Sequence, residues 1–227
     1  MSKNDSEFDI LIKLVIIGDS GVGKSNYLIR FVEGQFNPIH EATIGFDYKS
    51  KICILPKSKK KIKFQVWDTA GQEKYMSINK NLFQRVQGII LMYDITEKKT
   101  FDNLRHWINT INQLAGEIPL ILIGNKIDLV QERIIPKEKG EQFANDNNIK
   151  FFESSGKNGE NVDESFFYLG EQIVAQNYSE DRKSVGSEYV ICKESLKKKR
   201  KKSVAKFNNF NYLNYFINNI DILFIIN

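Results

Sequence analysis

One short stretch near the amino terminus constrains this chain more than any other. Residues 18–25 read GDSGVGKS and fit the pattern G-x-x-x-x-G-K-[ST]. They follow an apolar run, Ile10–Ile17, that suits a strand buried on both faces, and they precede apolar residues at helical spacing. Glycines let backbone N–H groups turn toward an anion, and the amino terminus of a helix adds partial positive charge. The stretch is therefore predicted to bind phosphate groups where a strand meets a helix.

Length and charge limit the class of protein. A chain of 227 residues accommodates one well-buried domain and leaves a tail. Residues 1–180 carry 23 basic and 24 acidic side chains, whereas residues 181–227 carry 10 and 4. Because the net charge of +5 arises in the tail, the globular part is not predicted to bind nucleic acid. Two cysteines and an amino terminus without a secretory signal indicate a reducing, cytoplasmic compartment.

Segments typical of strands and helices alternate along the chain, which predicts an α/β domain with a mostly parallel sheet. A polar connection at 56–60 separates two extended runs and predicts one antiparallel hairpin. Trp107 is expected to pack in the core. Strands are expected at 10–17, 47–55, 61–67, 88–93, 118–123 and 150–152, and helices after Ser25 and at 101–114, 136–147 and 162–176.

The base specificity of the predicted site depends on Asn125, Lys126 and Asp128, which follow a buried strand. The Asp128 carboxylate can accept hydrogen bonds from N1–H and the exocyclic amine of guanine, whereas adenine offers no such pair of donors. Lys126 can lie over the base, and Asn125 can tie this segment to the phosphate-binding stretch. Open α/β sheets bind ligands at the ends of their strands, so the pattern favours a guanine nucleotide.

A second cluster follows the strand at 61–67 and reads Asp68-Thr69-Ala70-Gly71-Gln72. Asp68 can hold Mg²⁺ through water, Gly71 lets the backbone approach a terminal phosphate, and the Gln72 amide can orient an attacking water. Lys24 can reach the β- and γ-phosphates, and the Ser25 hydroxyl can ligate Mg²⁺. Lys24 and Gln72 are therefore the predicted catalytic residues.

These motifs, in this order over residues 8–177, resemble those of a small GTPase of the Ras superfamily, and of the Rab family within it. Thr43 resembles the switch I threonine that completes the Mg²⁺ shell, and Phe36 falls where the family places an aromatic beside the base. Residues 155–157 resemble the loop that supports guanine, although Gly156 stands where the family usually has alanine. The resemblance implies a P-loop NTPase G domain over residues 8–177, with a six-stranded, mostly parallel sheet, one antiparallel edge strand and helices on both faces.

The resemblance also implies a set of ligand contacts. Mg²⁺ would be held by Ser25, Thr43 and Asp68. The nucleotide would be bound by Asp19, Ser20, Gly21, Val22, Gly23, Lys24, Ser25, Asn26, Phe36, Thr43, Gly71, Asn125, Lys126, Asp128, Ser155, Gly156 and Lys157.

The function that the resemblance implies is a GTP/GDP switch that hydrolyses GTP slowly and regulates vesicle traffic. No arginine occurs between Phe31 and Thr43, so fast hydrolysis is expected to need an activating protein. Exchange factors, activating proteins and effectors are expected to bind at switch I, residues 37–47, and switch II, residues 69–85. The protein is expected to be a monomer on the cytosolic face of endomembranes. A guanine-nucleotide-binding interaction module with negligible turnover is the alternative. A P-loop ATPase or kinase conflicts with Asp128.

The tail departs from the resemblance. Residues 178–227 are predicted to be a linker, a polybasic run at 197–202 and a disordered, asparagine-rich end. Rab proteins typically end in prenylated cysteines, whereas Cys192 lies too far upstream for such a motif. The basic run could contact an anionic membrane surface, act as a nuclear localisation signal or simply be solvated. Residues 207–227 also have the composition of read-through translation in an A/T-rich genome, and they are not predicted to span a membrane.

Overall fold

One six-stranded sheet organises residues 7–38, 46–69, 83 and 85–176, which are the residues that the computed structural model describes. All of them fall within the unit Met1–Gln176. The strands are β1 (Ile10–Ile17), β2 (Phe46–Ile54), β3 (Lys61–Thr69), β4 (Gly88–Asp94), β5 (Leu120–Asn125) and β6 (Lys150–Glu153). The described helices are α1 (Lys24–Glu33), α2 (Lys98–Asp102), α3 (Leu104–Leu114) and α4 (Lys137–Asp146), followed by α5 at residues 162–176.

The strand order in this sheet is β2-β3-β1-β4-β5-β6. β2 runs antiparallel to β3, and every other neighbouring pair is parallel. The predicted mostly parallel sheet with one antiparallel edge strand is therefore confirmed. Because the five strands β3, β1, β4, β5 and β6 point in the same direction, their carboxyl ends and the loops that follow them lie along one edge of the sheet.

The side chains of β1 show why helices cover both faces of the sheet. Ile12, Leu14 and Ile16 join one buried apolar cluster, whereas Val15 and Ile17 join another. Alternate residues of a strand point to opposite faces, so an apolar run such as β1 requires a cover on each side. α1 and α5 supply the first cover, and α3 and α4 supply the second.

Two glycines set the ends of α1. Gly23 precedes the helix with φ 96°, and Gly34 follows it with φ 70°. Both angles lie in the left-handed region that glycine adopts without steric cost. The Gly34 N–H donates to the Arg30 carbonyl oxygen, as is usual at the carboxyl end of a helix.

The prediction of a single helix at 101–114 is wrong at its amino-terminal end. Two helices, α2 and α3, meet at Asn103, whose backbone N–H donates to the Lys99 carbonyl oxygen at 3.0 Å. The Asn103 side chain bonds to Asp19, far away in sequence. Apolar spacing alone does not reveal this contact, and α3 keeps the predicted amphipathic pattern. No helix among the described residues is long and apolar enough to cross a membrane.

Candidate functional site

Three loops meet at the edge formed by the carboxyl ends of the parallel strands. They are the phosphate loop, residues 18–25, the β5 loop, residues 126–129, and the β6 loop, residues 154–161. Asn125, 2% exposed, directly precedes the β5 loop, and its side chain bonds to the other two loops. Its Nδ2 donates to the Val22 carbonyl oxygen at 2.8 Å, and its Oδ1 accepts from the Gly156 N–H at 3.1 Å. One buried amide therefore fixes the phosphate loop against the two loops predicted to bind the base.

Glycine is required at two positions of the phosphate loop. Gly18 and Gly23 have φ of 142° and 96°. A Cβ at Gly18 would lie 2.2 Å from the Met92 carbonyl oxygen, and one at Gly23 would lie 2.6 Å from Asn125 Nδ2. Neither approach leaves room for a side chain, so the loop turns tightly between β1 and α1. Such a turn is the backbone that a phosphate cradle needs.

Lys24, the first residue of α1, is 5% exposed and brings positive charge to this turn. Its Nζ donates to the carbonyl oxygens of Gly18 and Asp19 at 2.9 and 2.7 Å. The ammonium group thus lies within the curve of the loop, beside the amino terminus of a helix. A buried cation beside the amino terminus of a helix suits a polyphosphate.

Oxygen ligands suitable for Mg²⁺ lie close to this charge. Asp68 is buried near the carboxyl end of β3 and pairs in register with Ile16 of β1, two residues before the phosphate loop begins. Ser25 follows Lys24 in the first turn of α1. A hydroxyl and a carboxylate are hard oxygen donors of the type that Mg²⁺ uses together with phosphate oxygens and water. The residues present therefore fit a Mg²⁺-bound nucleotide.

The β6 loop holds the carboxylate predicted to recognise the base. Ser155 Oγ donates to Asp128 Oδ1 at 2.6 Å, and Lys157 Nζ lies 3.8 Å from Asp128 Oδ2. The backbone N–H groups of Lys157 and Asn158 donate in turn to Ser155 Oγ. These contacts fix the Asp128 carboxylate. Its two oxygens can each accept more than one hydrogen bond, so they still suit two donors that lie side by side.

Asp94, at the end of β4, is a site residue that the sequence did not reveal. Its Oδ2 lies 2.6 Å from Lys126 Nζ, and its Oδ1 accepts two bonds from Thr96. Lys126 itself has φ 71°, an unusual backbone for a residue with a side chain. The signal that could have indicated Asp94 is its register, because it pairs with Asn125 across β4 and β5.

Arg30 and Asn26 connect α1 to the same region. Arg30 donates to carbonyl oxygens of both Gly156 and Lys157 in the β6 loop, a role that the sequence did not indicate. Asn26 Oδ1 accepts from the Asn37 N–H at 3.0 Å, directly after the half-buried Phe36. Side chains of α1 thus hold loops on both sides of the predicted base site.

The Asp19 side chain is directed toward α3. Its carboxylate accepts hydrogen bonds from Asn103 and Trp107. Trp107 is buried, as predicted, but its indole N–H also bonds to the phosphate loop. Thr43, Gly71 and Gln72 lie outside the described residues, as do most of switch I and switch II and the whole tail, residues 178–227.

Comparison with known proteins identifies the family. A model of the Ras family matches residues 13–175. The chain is 44% identical over 186 residues to the Ras-related protein SEC4 of Saccharomyces cerevisiae, covering 82% of this chain and 84% of the relative. It is 46% identical over 170 residues to the GTP-binding protein ypt2 of Schizosaccharomyces pombe, covering 74% and 84%. Human Ras-related protein Rab-8B is 45% identical over 170 residues, covering 74% and 81%. The chain belongs to the Rab branch of the Ras family.

As a Rab-family small GTPase, the protein binds GTP and GDP with Mg²⁺, hydrolyses GTP and regulates vesicle traffic. Regulatory proteins and effectors are its partners. The prediction made from the motifs is confirmed, and the alternative of an interaction module without turnover is not favoured.

Proposed function

We propose that the phosphate loop, the β5 loop and the β6 loop hold the guanine nucleotide. The conformation of the two switch segments would depend on whether its terminal phosphate is present. Asp128 would accept hydrogen bonds from the guanine edge, and Lys126 would lie over the base. The backbone of residues 155–157 would contact the base oxygen. Phe36 would lie beside the base. The amides of the phosphate loop and Lys24 would hold the phosphates.

The Asn125 side chain is the observation that carries this proposal. It bonds at once to the phosphate loop and to the β6 loop, so a ligand with a phosphate chain and a planar base would contact both loops together. The fixed Asp128 carboxylate would select guanine over adenine, because guanine offers two hydrogen-bond donors side by side and adenine does not.

Hydrolysis is proposed to follow an in-line attack of water on the γ-phosphorus, which breaks its bond to the bridging oxygen and releases GDP and phosphate. Gln72 would orient the water, and Lys24 would stabilise charge on the phosphates. Ser25, Thr43 and Asp68 would hold Mg²⁺, which supplies further neutralisation of phosphate charge. Since no arginine lies between Phe31 and Thr43, the intrinsic rate is slow and an activating protein accelerates it.

Partners are proposed to bind at switch I, residues 37–47, and switch II, residues 69–85. An aromatic pair beside these segments supports this assignment. Tyr48 is 51% exposed, and its ring lies 5.1 Å from that of Trp67 between centroids. Exposed aromatic side chains are favoured at protein interfaces. The protein would act as a monomer on the cytosolic face of endomembranes, with the basic run at 197–202 available to anionic lipids.

Replacement of Gln72 tests the catalytic part of the proposal. Gln72→Leu removes the donor and the acceptor that would orient water, so we expect single-turnover GTP hydrolysis to fall by about tenfold or more, with GDP affinity changed less than about twofold. Phosphate release from the GTP-loaded protein measures the rate. Gln142→Leu, at an exposed position of α4, is the matched control and should leave hydrolysis unchanged. Equal hydrolysis by Gln72→Leu and the unmodified protein would remove Gln72 from the mechanism.

A further inference from the structure

A buried carboxylate lies inside the phosphate loop and is held from outside it. Asp19 is 6% exposed. Its Oδ1 accepts from Trp107 Nε1 at 2.8 Å, and its Oδ2 accepts from Asn103 Nδ2 at 2.6 Å. Each oxygen therefore has its own donor, and neither donor belongs to a loop predicted to bind nucleotide.

Trp107 is fixed by the packing of α3, and Asn103 is held at the junction of α2 and α3. Trp107 is 4% exposed and belongs to the apolar cluster on the second face of the sheet, with Leu104, Ile108 and Ile111. A buried indole N–H needs a hydrogen-bond partner, and Asp19 supplies it. Asn103 lies at the junction of α2 and α3, where its backbone N–H is already bonded to Lys99. Its side chain is therefore held at the point where the two helices meet.

The backbone of Asp19 takes part in the phosphate loop at the same time. Its carbonyl oxygen accepts from Lys24 Nζ at 2.7 Å. A continuous set of hydrogen bonds thus runs from α3 through Asp19 to the ammonium group that would face the phosphates. A shift of Asp19 would move that ammonium group as well.

A carboxylate at this position presents an electrostatic problem. Like charges within a few ångströms repel strongly in a site that is partly shielded from water, and phosphates would bind next to Asp19. The buried Trp107 and the half-buried Asn103 hold the carboxylate toward α3, so that the loop amides and Lys24 would face the phosphates without it.

We infer that Asn103 and Trp107 are positioning residues of the phosphate loop, which hold the Asp19 carboxylate away from the nucleotide phosphates. This inference rests on the proposed function. It assigns to Asn103 and Trp107 a share in nucleotide retention that acts through Asp19.

A double-mutant cycle tests the inference on the full chain. Trp107→Phe keeps an aromatic ring in the core but removes the N–H, so the carboxylate loses one of its two donors. We expect the dissociation rate of fluorescently labelled GDP to rise by about tenfold. In an Asp19→Ala background there is no carboxylate to release, and the same Trp107→Phe change should alter the rate by less than about twofold.

A purely structural role of Trp107 predicts the opposite pattern, because lost packing would raise the dissociation rate equally in both backgrounds. That result would overturn the inference. Asn103→Ala, at a half-buried position, runs through the same cycle and provides a second comparison if Trp107→Phe lowers the melting temperature of the protein. An unmodified protein that binds no labelled GDP would contradict the proposed function and the inference together, whereas normal binding with equal effects in both backgrounds contradicts the inference alone.

Discussion

Arg30 links the carboxyl end of α1 to the loop that supports the base. Its Nε donates to the Gly156 carbonyl oxygen at 3.1 Å, and one terminal nitrogen donates to Gly34 at 2.5 Å. The other terminal nitrogen donates to the Lys157 carbonyl oxygen. A planar guanidinium can serve three acceptors at fixed angles, whereas a lysine ammonium on a flexible stem cannot. The position of the β6 loop therefore depends on the shape of this side chain as well as on its charge.

Arg30→Lys is expected to weaken nucleotide retention while it keeps the positive charge. Two of the three backbone bonds would be lost, and each contributes about 1 kcal/mol. We expect GDP to dissociate about 30 times faster, measured by exchange of labelled GDP for an excess of unlabelled GDP. Arg105→Lys, at an exposed position of α3, is the matched control. Equal dissociation rates for the two variants would show that the guanidinium does not position the loop.

Among the helices, α4 shows how closely the second face of the sheet is packed. Gly140 is buried in α4. A Cβ built on it would lie 2.5 Å from Phe151 Cζ and 2.5 Å from the Tyr93 hydroxyl oxygen. Burial raises the pKa of Tyr93 above its usual range, which is consistent with a neutral hydroxyl enclosed between α4 and the sheet. The helix therefore approaches β4 and β6 at the distance that only glycine permits.

Gly140→Ala is expected to destabilise the fold by about 1–3 kcal/mol, because aromatic rings in a packed core must move to admit the methyl group. The free energy of unfolding from urea titration measures the effect. Lys139→Ala, at the exposed neighbouring position of α4, should change that free energy by less than about 0.5 kcal/mol. A stable Gly140→Ala variant would mean that α4 lies farther from β6 than the contacts indicate.

The elements also show what periodicity can and cannot predict. Apolar runs predict β1, β4 and β5, because strands buried on both faces leave a continuous signal, as in β4. β3 is marked instead by alternation of buried and more exposed residues. The junction of α2 and α3 is missed, and Asn103 at that junction bonds through its side chain to Asp19, 84 residues away. Apolar spacing depends only on the local sequence, so it does not indicate contacts between residues that are far apart in the chain.

At the scale of the whole molecule, the sheet order brings distant motifs to one edge. The phosphate loop follows β1, Asp68 lies near the carboxyl end of β3, and residues 125–128 lie at the carboxyl end of β5. Their proximity could be predicted because parallel strands share a carboxyl edge. The contacts of Arg30 and Asp94 could not be predicted in the same way. Arg30 bonds to backbone carbonyl groups, which carry no residue identity, and Asp94 depends on the register of β4 against β5.

The most direct test of a guanine nucleotide switch is the base preference of Asp128→Asn. The amide that replaces the carboxylate has one acceptor and one donor group. Its NH₂ group would face the exocyclic amine of guanine, where two donors meet, whereas xanthine carries a carbonyl group in place of that amine and can accept the bond. Loss of two bonds to a charged acceptor is expected to cost about 3 kcal/mol. Competition against labelled nucleotide should show GDP affinity about 100-fold lower and xanthosine diphosphate bound more tightly than by the unmodified protein. Asp146→Asn, at an exposed position of α4, should preserve the preference for GDP. Undiminished GDP affinity in Asp128→Asn, or equal affinity of the unmodified protein for ADP and GDP, would contradict the account.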